Sequence, residues 1–498
     1  MGIRSILSRP FISKIVREQE RWAQEPVQSQ RLQFEYLIQE GGQTVFGREH
    51  GFEGIRNYHD FKNQVPLRDY ESFSSYMHRI MEGELNVLWP GKPVYLAKTS
   101  GTTSGTKYIP LTKESVPSHI NGARDALFNY IVETGNARFL DGNLIFLSGS
   151  PVLDEKGGIK TGRLSGIVNH HVPAWLRTNQ KPSYKTNCIE DWEEKIEKII
   201  DETLNARMTL ISGIPPWVQM YFDRLIDRTG KKVKDIFPQF SIFVYGGVNF
   251  EPYRARLFDS IGKTVDSVET YPASEGFIAY QYRQNEPGLL MLLNKGIFYE
   301  FIPLDEYHHE NPSRLNIEEV KTEINYALII NSNAGLWGYS IGDTVKFLSV
   351  KPPVIQVTGR VSHFISAFGE HVIADEVEKA MKLTLEKFGD TEITEFTVAP
   401  MVSPPEGLPH HEWLIEFSRN PSRPEDFSAC IDQTLRKLNS YYDDLVSGAI
   451  LCPLKIVRMR KDAFRDYMRS KGKLGGQNKL PRLSNDRKIA DELIRLRE

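Results

Sequence analysis

From Asn143 onward one local grammar repeats along the chain: a short apolar run, a turn rich in Gly or Pro, then a helical pattern. It reads "NLIFLSGSP", then "ARMTLISGIPPWVQMYFDRLI", then "QFSIFVYGGVNFEPYRARLF", and it ends in "KTVDSVETYPASEG". Short apolar runs followed by glycine turns and amphipathic helices predict buried strands in a largely parallel α/β layer structure. In such sheets ligands gather at the carboxyl ends of the strands. The turns are therefore expected to carry the site.

Further along, the pattern changes. "GIFYEFIPLDEY" and "NYALIINSNAGLWGYSIGDTVKFLSV" are rich in aromatic and β-branched residues, with no long helix between them. They predict an antiparallel sheet or small barrel appended to the α/β core. A helix is expected over Ala374–Phe388, with Asp375 and Glu376 in its first turn, where acidic side chains complement the helix dipole. Then "HHEWLIEFSR" reads as a strand, "EDFSACIDQTLRKLNSYYDDLV" as a helix and "CPLKIVRMR" as another strand. A boundary near Gly359–Arg360 gives an N-terminal domain of residues 1–359 and a C-terminal domain of residues 360–498. The expected fold class is α/β: a large domain of β-sheets flanked by helices, with a small β-barrel-like part, followed by a smaller α+β domain.

At 498 residues the chain is too long for one ordinary core. Its 40% hydrophobic and 25% charged residues are those of a soluble globular protein, and the net charge of −2 gives no electrostatic reason to expect nucleic acid or anionic membrane as partner. Cys188, Cys430 and Cys452 lie far apart without CxxC spacing, which supports neither a disulfide framework nor a zinc knuckle and suits a reducing cytoplasm. The opening "MGIRSILSRPFISKIVREQERW" reads as an amphipathic helix rather than a signal peptide, and Ile6 breaks the myristoylation pattern. A membrane-spanning helix is not expected, since no run reaches ~18 apolar residues.

The stretch "YLAKTSGTTSGTKYIPLT", Tyr95 to Thr112, gathers hydroxyl side chains around two glycines. A Walker loop needs G-x-x-x-x-G-K-[ST]. Here Gly101 and Gly105 are four apart, Thr106 separates Gly105 from Lys107, and Tyr108 stands where a magnesium-binding hydroxyl should be. The Rossmann G-x-G-x-x-G pattern is absent as well. What remains is the physical requirement for an anion: two glycines that permit close backbone approach, donors from Ser100, Thr102, Thr103 and Ser104, and a mobile cation in Lys107. An ordinary solvated turn has the same composition, so the rest of the chain must decide.

The order S-G-T-T-S-G-T-K, "ETYPASEG", "GYSIGD" and a late "NKLPR" resembles the acyl-adenylate-forming superfamily. Within it the chain is similar to the auxin-responsive acyl acid–amido synthetases, the plant hormone-conjugating enzymes and their bacterial relatives, and it reads as a bacterial-type member. "FYEFIPL", "FGEHVIADEVEKAM" and the tail "VRMRKDAFRDYMRSKGKLGGQNKLPR" add to the likeness, which runs from about Ala97 to Arg482.

The resemblance implies an ATP- and Mg²⁺-dependent ligase that adenylates a carboxylic acid and passes the acyl group to an amine, expected to be an amino acid. Ser100–Lys107 would hold the β- and γ-phosphates. Gly246, Gly247 and Val248 in "YGGVNF" would lie against adenine, on which Tyr271 would stack. Ser274 would reach the α-phosphate, and Glu275 would act in catalysis as the Mg²⁺ ligand. Asp343 would accept the ribose hydroxyls, with Arg360 as a second ribose or phosphate contact. Lys479 would be the catalytic lysine that neutralises the attacking carboxylate and the α-phosphate, delivered by movement of the C-terminal domain. The chain has His371 where plant members have lysine. A thioester-forming ligase and a non-catalytic nucleotide-binding protein remain the alternatives. The adjacent pairs His170-His171 and His308-His309 lack the spacing of a metal site. "GIPPWVQMYFDRL" and "SGIVNHHVPAWL" read either as walls of an acyl pocket or as plain core.

Overall fold

The computed structural model describes residues 9–99, 107–172, 177–189, 191–247, 250–361, 364–365, 372–402, 404–447, 451–473, 480–484 and 486–496. Two compact units divide the chain. The first holds Met1–Gly247, Ser260–Ile341 and Val345–Gln356; the second holds Val248–Asp259, Gly342–Thr344 and Val357–Glu498.

Two sheets organise the first unit. In one, β1 (Tyr95–Thr99), β2 (Lys107–Leu111), β4 (Asp154–Lys156) and β5 (Ile159–Arg163) take the order β2-β1-β5-β4. β1 is antiparallel to β2 and parallel to β5. The other sheet has 11 strands in the order β12-β13-β14-β15-β11-β10-β9-β8-β7-β3-β6. Its strands are β3 (Asn143–Phe146), β6 (Gln180–Lys181), β7 (Met208–Ser212), β8 (Ile242–Gly246), β9 (Asp266–Ala273), β10 (Gly276–Gln281), β11 (Leu289–Met291), β12 (Ile297–Pro303), β13 (Asn325–Ser332), β14 (Tyr339–Ser349) and β15 (Val354–Arg360).

β6, β3, β7, β8 and β9 run parallel, as the repeated grammar predicts. Their apolar runs have no alternation because both faces are covered: Met208, Leu210, Ile211, Ile242 and Phe243 are all fully buried. The strands expected as an appended sheet or barrel extend this sheet as an antiparallel wing, through the pairs β9–β10, β10–β11, β11–β15 and β12–β13. Hydrophobic patterning marks these segments as strands but does not say which sheet edge they join.

Helices cover the sheet. The helix Pro215–Thr229 starts on a proline and stops at Gly230, whose φ of +67° suits glycine. The helix Val116–Thr134 packs on β9 and β10, with Gly122 against the Phe277 ring. The helix Arg9–Ala23 buries Ile12, Val16, Gln19, Trp22 and Ala23 on one face. From the helix Pro26–Gly41, Gln30 Nε2 donates to the carbonyls of Leu293 and Ile297, both at 2.9 Å, while its Oε1 accepts from Tyr299 N at 2.8 Å.

In the second unit, β16 (Phe364–Ile365) and β17 (Val372–Ile373) form a short ladder. β18 (Glu392–Met401), β19 (His410–Arg419) and β20 (Lys455–Met459) form a three-stranded sheet in that order. The helices Ala374–Lys387 and Pro424–Leu438 pack around Phe396, Trp413, Phe427 and Ile431 to make its core. The Glu376 carboxylate accepts from Ile373 N at 3.1 Å, so the first-turn acid caps its own helix. Among the described residues, no helix is long and apolar enough to cross a membrane.

Candidate active site

The sequence-predicted residues of the first unit meet at the ends of parallel strands. β8 pairs with β9 so that Gly246 lies opposite Thr270, one position before Tyr271. A Cβ on Gly246 would meet the Thr270 carbonyl at 2.4 Å, so a side chain is excluded there by the neighbouring strand. Gly247 is exposed and has φ +81°, a conformation that favours glycine. The first glycine thus answers to sheet packing, and the second leaves bare backbone beyond the strand end. Tyr271 is buried within β9, opposite Ala279. Ser274 and Glu275 form the tight turn between β9 and β10 and remain partly exposed. A carboxylate on such a turn is reachable from solvent, and its hard oxygens suit Mg²⁺. Val248 lies outside the described residues.

A second cluster of expected residues follows β1. Thr99 and Lys107 close its hairpin as a register pair. Segment 100–106, which carries Ser100, Gly101, Thr102, Thr103, Ser104 and Gly105, lies outside the described residues. Lys107 is described: its Nζ stands 5.5 Å from the centre of the Tyr70 ring. The Tyr70 hydroxyl accepts from Tyr108 N at 2.8 Å. One tyrosine therefore steadies both the strand and the cation that leave the loop.

The parts of β14 and β15 that belong to the second unit, Gly342–Thr344 and Val357–Arg360, bring together two residues that are distant in sequence. Arg360 Nε donates to Asp343 Oδ1 at 2.9 Å, with side chains 46% and 19% exposed. Gly342 has φ +78°, and a Cβ there would sit 3.3 Å from the Arg360 guanidinium. The Gly342 carbonyl accepts from Val361 N at 2.7 Å. Lys479 and His371 lie outside the described residues. Arg482, three positions after Lys479, is held by Glu395, by Glu378 at 3.2 Å, by the Phe396 carbonyl at 3.0 Å and by the Tyr253 hydroxyl. Burial opposes its charge, but Glu395, Tyr253 and Glu378 outweigh that and raise its pKa.

Sequence reasoning missed the function of several buried polar groups. Arg482 stands in the quoted "NKLPR", and four acceptors around a side chain only 9% exposed identify it as an anchor. Glu300 in "FYEFIPL" is fully buried and accepts from Arg314 Nη2 through both oxygens, at 2.8 and 2.7 Å. A carboxylate inside an apolar strand was the available signal. "GIPPWVQMYFDRL" is core: Val218, Tyr221, Phe222 and Leu225 are fully buried. The rings of His170 and His171 go to separate partners, the Pro151 carbonyl at 2.7 Å and the Tyr95 hydroxyl at 3.0 Å.

Comparison with known proteins accounts for this arrangement. The model of the GH3 family N-terminal domain matches residues 15–170 and 150–265, that of the GH3 family central domain matches 290–360, and that of the GH3 family C-terminal domain matches 375–488. A jasmonoyl–L-amino acid synthetase of Nicotiana attenuata, JAR4, is 24% identical over 390 residues, covering 64% of this chain and 66% of that protein. A second, JAR6 of the same plant, is 22% identical over 499 residues, covering 84% of each. Among solved structures, the AtGH3.15 acyl acid amido synthetase in complex with 2,4-DB superposes with a TM-score of 0.80 at 17% identity, covering 97% of this chain and 96% of that one. Three domain models matched in order along most of its length make the chain a member of the GH3 family, the acyl acid–amido synthetases of the adenylate-forming superfamily.

Proposed function

We propose that this protein adenylates a small carboxylic acid with ATP and transfers the acyl group to the amine of an amino acid. The observation that carries the reading is the β8–β9 register, which sets Gly246–Gly247 beside Tyr271 and the Ser274-Glu275 turn. That constellation lies at the carboxyl ends of parallel strands, where α/β sheets bind ligands. The relatives' names pair an acid with an amino acid, and this chain's substrates are taken to be of those two classes.

A carboxylate is a poor electrophile, so the first step is its attack on the α-phosphorus of ATP, with departure of pyrophosphate. The amine then attacks the acyl carbon and AMP leaves. Both transition states gather negative charge on oxygen, so fixed donors and cations are the main requirement. Ser100, Gly101, Thr102, Thr103, Ser104, Gly105 and Lys107 are assigned to the departing β- and γ-phosphates. Gly246, Gly247 and Val248 are assigned to the adenine, with Tyr271, and Ser274 to the α-phosphate. Glu275 would hold Mg²⁺, which supplies positive charge to the phosphate oxygens when bound. Asp343 and Arg360 are assigned to the ribose. An ion pair as open as theirs contributes only about 0–1 kcal/mol, so exchanging one partner for a sugar hydroxyl costs little. Lys479 is assigned to the attacking carboxylate and the α-phosphate. We take residues 1–359 and 360–498 as the two domains and assign the second a change of position between half-reactions. Three cysteines without a disulfide support a reducing cytoplasm as its location.

Purified protein incubated with ATP, Mg²⁺ and a panel of carboxylic acids is expected to catalyse acid-dependent pyrophosphate–ATP exchange. It should form amides with amino acids, read by mass spectrometry. Thioester with coenzyme A and no amide would overturn the reading, and so would the absence of exchange with every acid.

A further inference from the structure

Arg163 ends β5 in the first unit, and its parallel register with β1 sets it opposite Lys98, two positions before Ser100. It is partly buried, and among the described residues no hydrogen bond or ion pair engages its guanidinium. Burial alone pushes its pKa below the ordinary arginine value. Lys98, by contrast, is already engaged by Asp154. A desolvated cation without a countercharge is costly unless a ligand supplies one.

Gly149 brings Arg163 and Ser165 to one place. A Cβ built on Gly149 would lie 3.1 Å from Arg163 Cδ and 3.4 Å from Ser165 Oγ. Gly149 has no positive φ to explain it; glycine stands there because the Arg163 stem and the Ser165 hydroxyl pack against it. Ser165 Oγ is buried and has no hydrogen-bond partner. The backbone beneath is pinned by Lys195, whose Nζ donates to the Ser148 carbonyl at 3.0 Å and the Asn187 carbonyl at 2.8 Å. Lys195 is itself buried, its pKa lowered to about 8 by burial, with Arg163 adding to the fall.

We propose that Arg163, with Ser165 over Gly149, binds the carboxylate of the amino-acid acceptor. This rests on the amide-forming reading above and adds the basis on which an amino acid is distinguished from a simple amine. A planar guanidinium matches a carboxylate through two parallel hydrogen bonds, and a hydroxyl beside it can donate a third. A phosphate on Mg²⁺ needs metal-binding carboxylates nearby, whereas among the described residues no carboxylate shifts Arg163. A free carboxylate is the better fit.

The test compares wild type, Arg163→Gln and Arg163→Lys with the best amino acid of the panel and with its decarboxylated amine. In Arg163→Gln the KM for the amino acid should rise about 10–100-fold, the loss of a charged hydrogen-bond pair. Arg163→Lys should recover part of that loss. The KM for the amine and the pyrophosphate–ATP exchange rate should change less than about 3-fold on the same scale. If Arg163→Gln does not fold, Ser165→Ala should give the same split at roughly 3–10-fold. Parallel loss with amino acid and amine would overturn the proposal in favour of a structural role. A raised KM for ATP with lost exchange would overturn it in favour of a phosphate ligand. If wild type itself yields exchange but no amide with any acceptor, the amide-forming reading fails first, without recourse to any variant.

Discussion

Glu300 belongs to a phrase that the family likeness singles out, yet its carboxylate is fully buried against Arg314, itself 8% exposed. Arg314 also donates to the carbonyls of Lys62 and Val65, so the pair ties β12 to an early stretch of the chain. Removing one partner of a buried, hydrogen-bonded pair leaves the other charge uncompensated. Glu300→Gln is accordingly expected to lose about 3–5 kcal/mol of unfolding free energy in urea titration, against a surface control such as Glu53→Gln. His119 is a second residue whose burial has a measurable consequence. It is 4% exposed, and burial lowers its pKa to about 4 from an ordinary 6.5. The folded state therefore holds the ring neutral where the unfolded chain protonates it. Stability from this source is full above pH 6.5 and falls as pH drops towards 4. Wild type should lose about 2–3 kcal/mol more than His119→Asn between pH 7 and pH 4.5, measured by urea unfolding at each pH. Equal losses would mean that His119 is not held neutral.

At the scale of elements, the helix Val116–Thr134 meets β10 through Gly122, where a Cβ would lie 2.4 Å from the Phe277 ring. Glycine in mid-helix ordinarily costs about 1 kcal/mol relative to alanine, but here the ring occupies the space an alanine needs. Gly122→Ala should destabilise by about 1–3 kcal/mol, reversing the usual helix-propensity gain. A stabilised variant would show that the ring can move aside. The same contrast explains what was legible in the sequence. β7 and β8 are largely apolar runs without alternation because both faces are buried, and that pattern is local, so it could be read directly. The extension of the sheet through β12 to β15 depends on which edge accepts which strand, and no local pattern records that. The Ser274-Glu275 turn lacks the Asn-Gly or Asp-Gly signal of tight hairpins and was found only as a motif. Gly246 was legible as a turn glycine, but its obligate contact with Thr270 became visible only once β9 lay beside β8. Arg163 gave no signal at all, since an arginine ending a strand is ordinarily solvated.

For the whole molecule, the proposed role of Lys479 would make the two half-reactions differ in their dependence on it. Lys479→Ala should slow adenylation about 10²–10³-fold, as one lost charge stabiliser costs about 3–4 kcal/mol. Transfer from preformed acyl-AMP to the amine should be affected much less. The measurement is pyrophosphate–ATP exchange set beside single-turnover amide formation, and equal losses in both would contradict a domain movement between the steps. Arg482 gives this expectation a physical base. It fixes the chain three positions beyond Lys479 within the second unit. A substitution at Arg482 should therefore resemble Lys479→Ala in which half-reaction it harms.

The polar grip of Gln30 reaches across the chain and has a consequence for biosynthesis. Its partners at Leu293, Ile297 and Tyr299 lie 263 to 269 residues downstream. At ribosomal rates of about 5–20 residues per second, the helix Pro26–Gly41 waits roughly 10–60 s for them to emerge. During that interval a nascent chain exposes the face meant for β12, and a holdase chaperone has time to occupy it. Ribosome-bound chains stalled before residue 293 should stay protease-sensitive around Gln30, while chains released beyond residue 332, the end of β13, become protected.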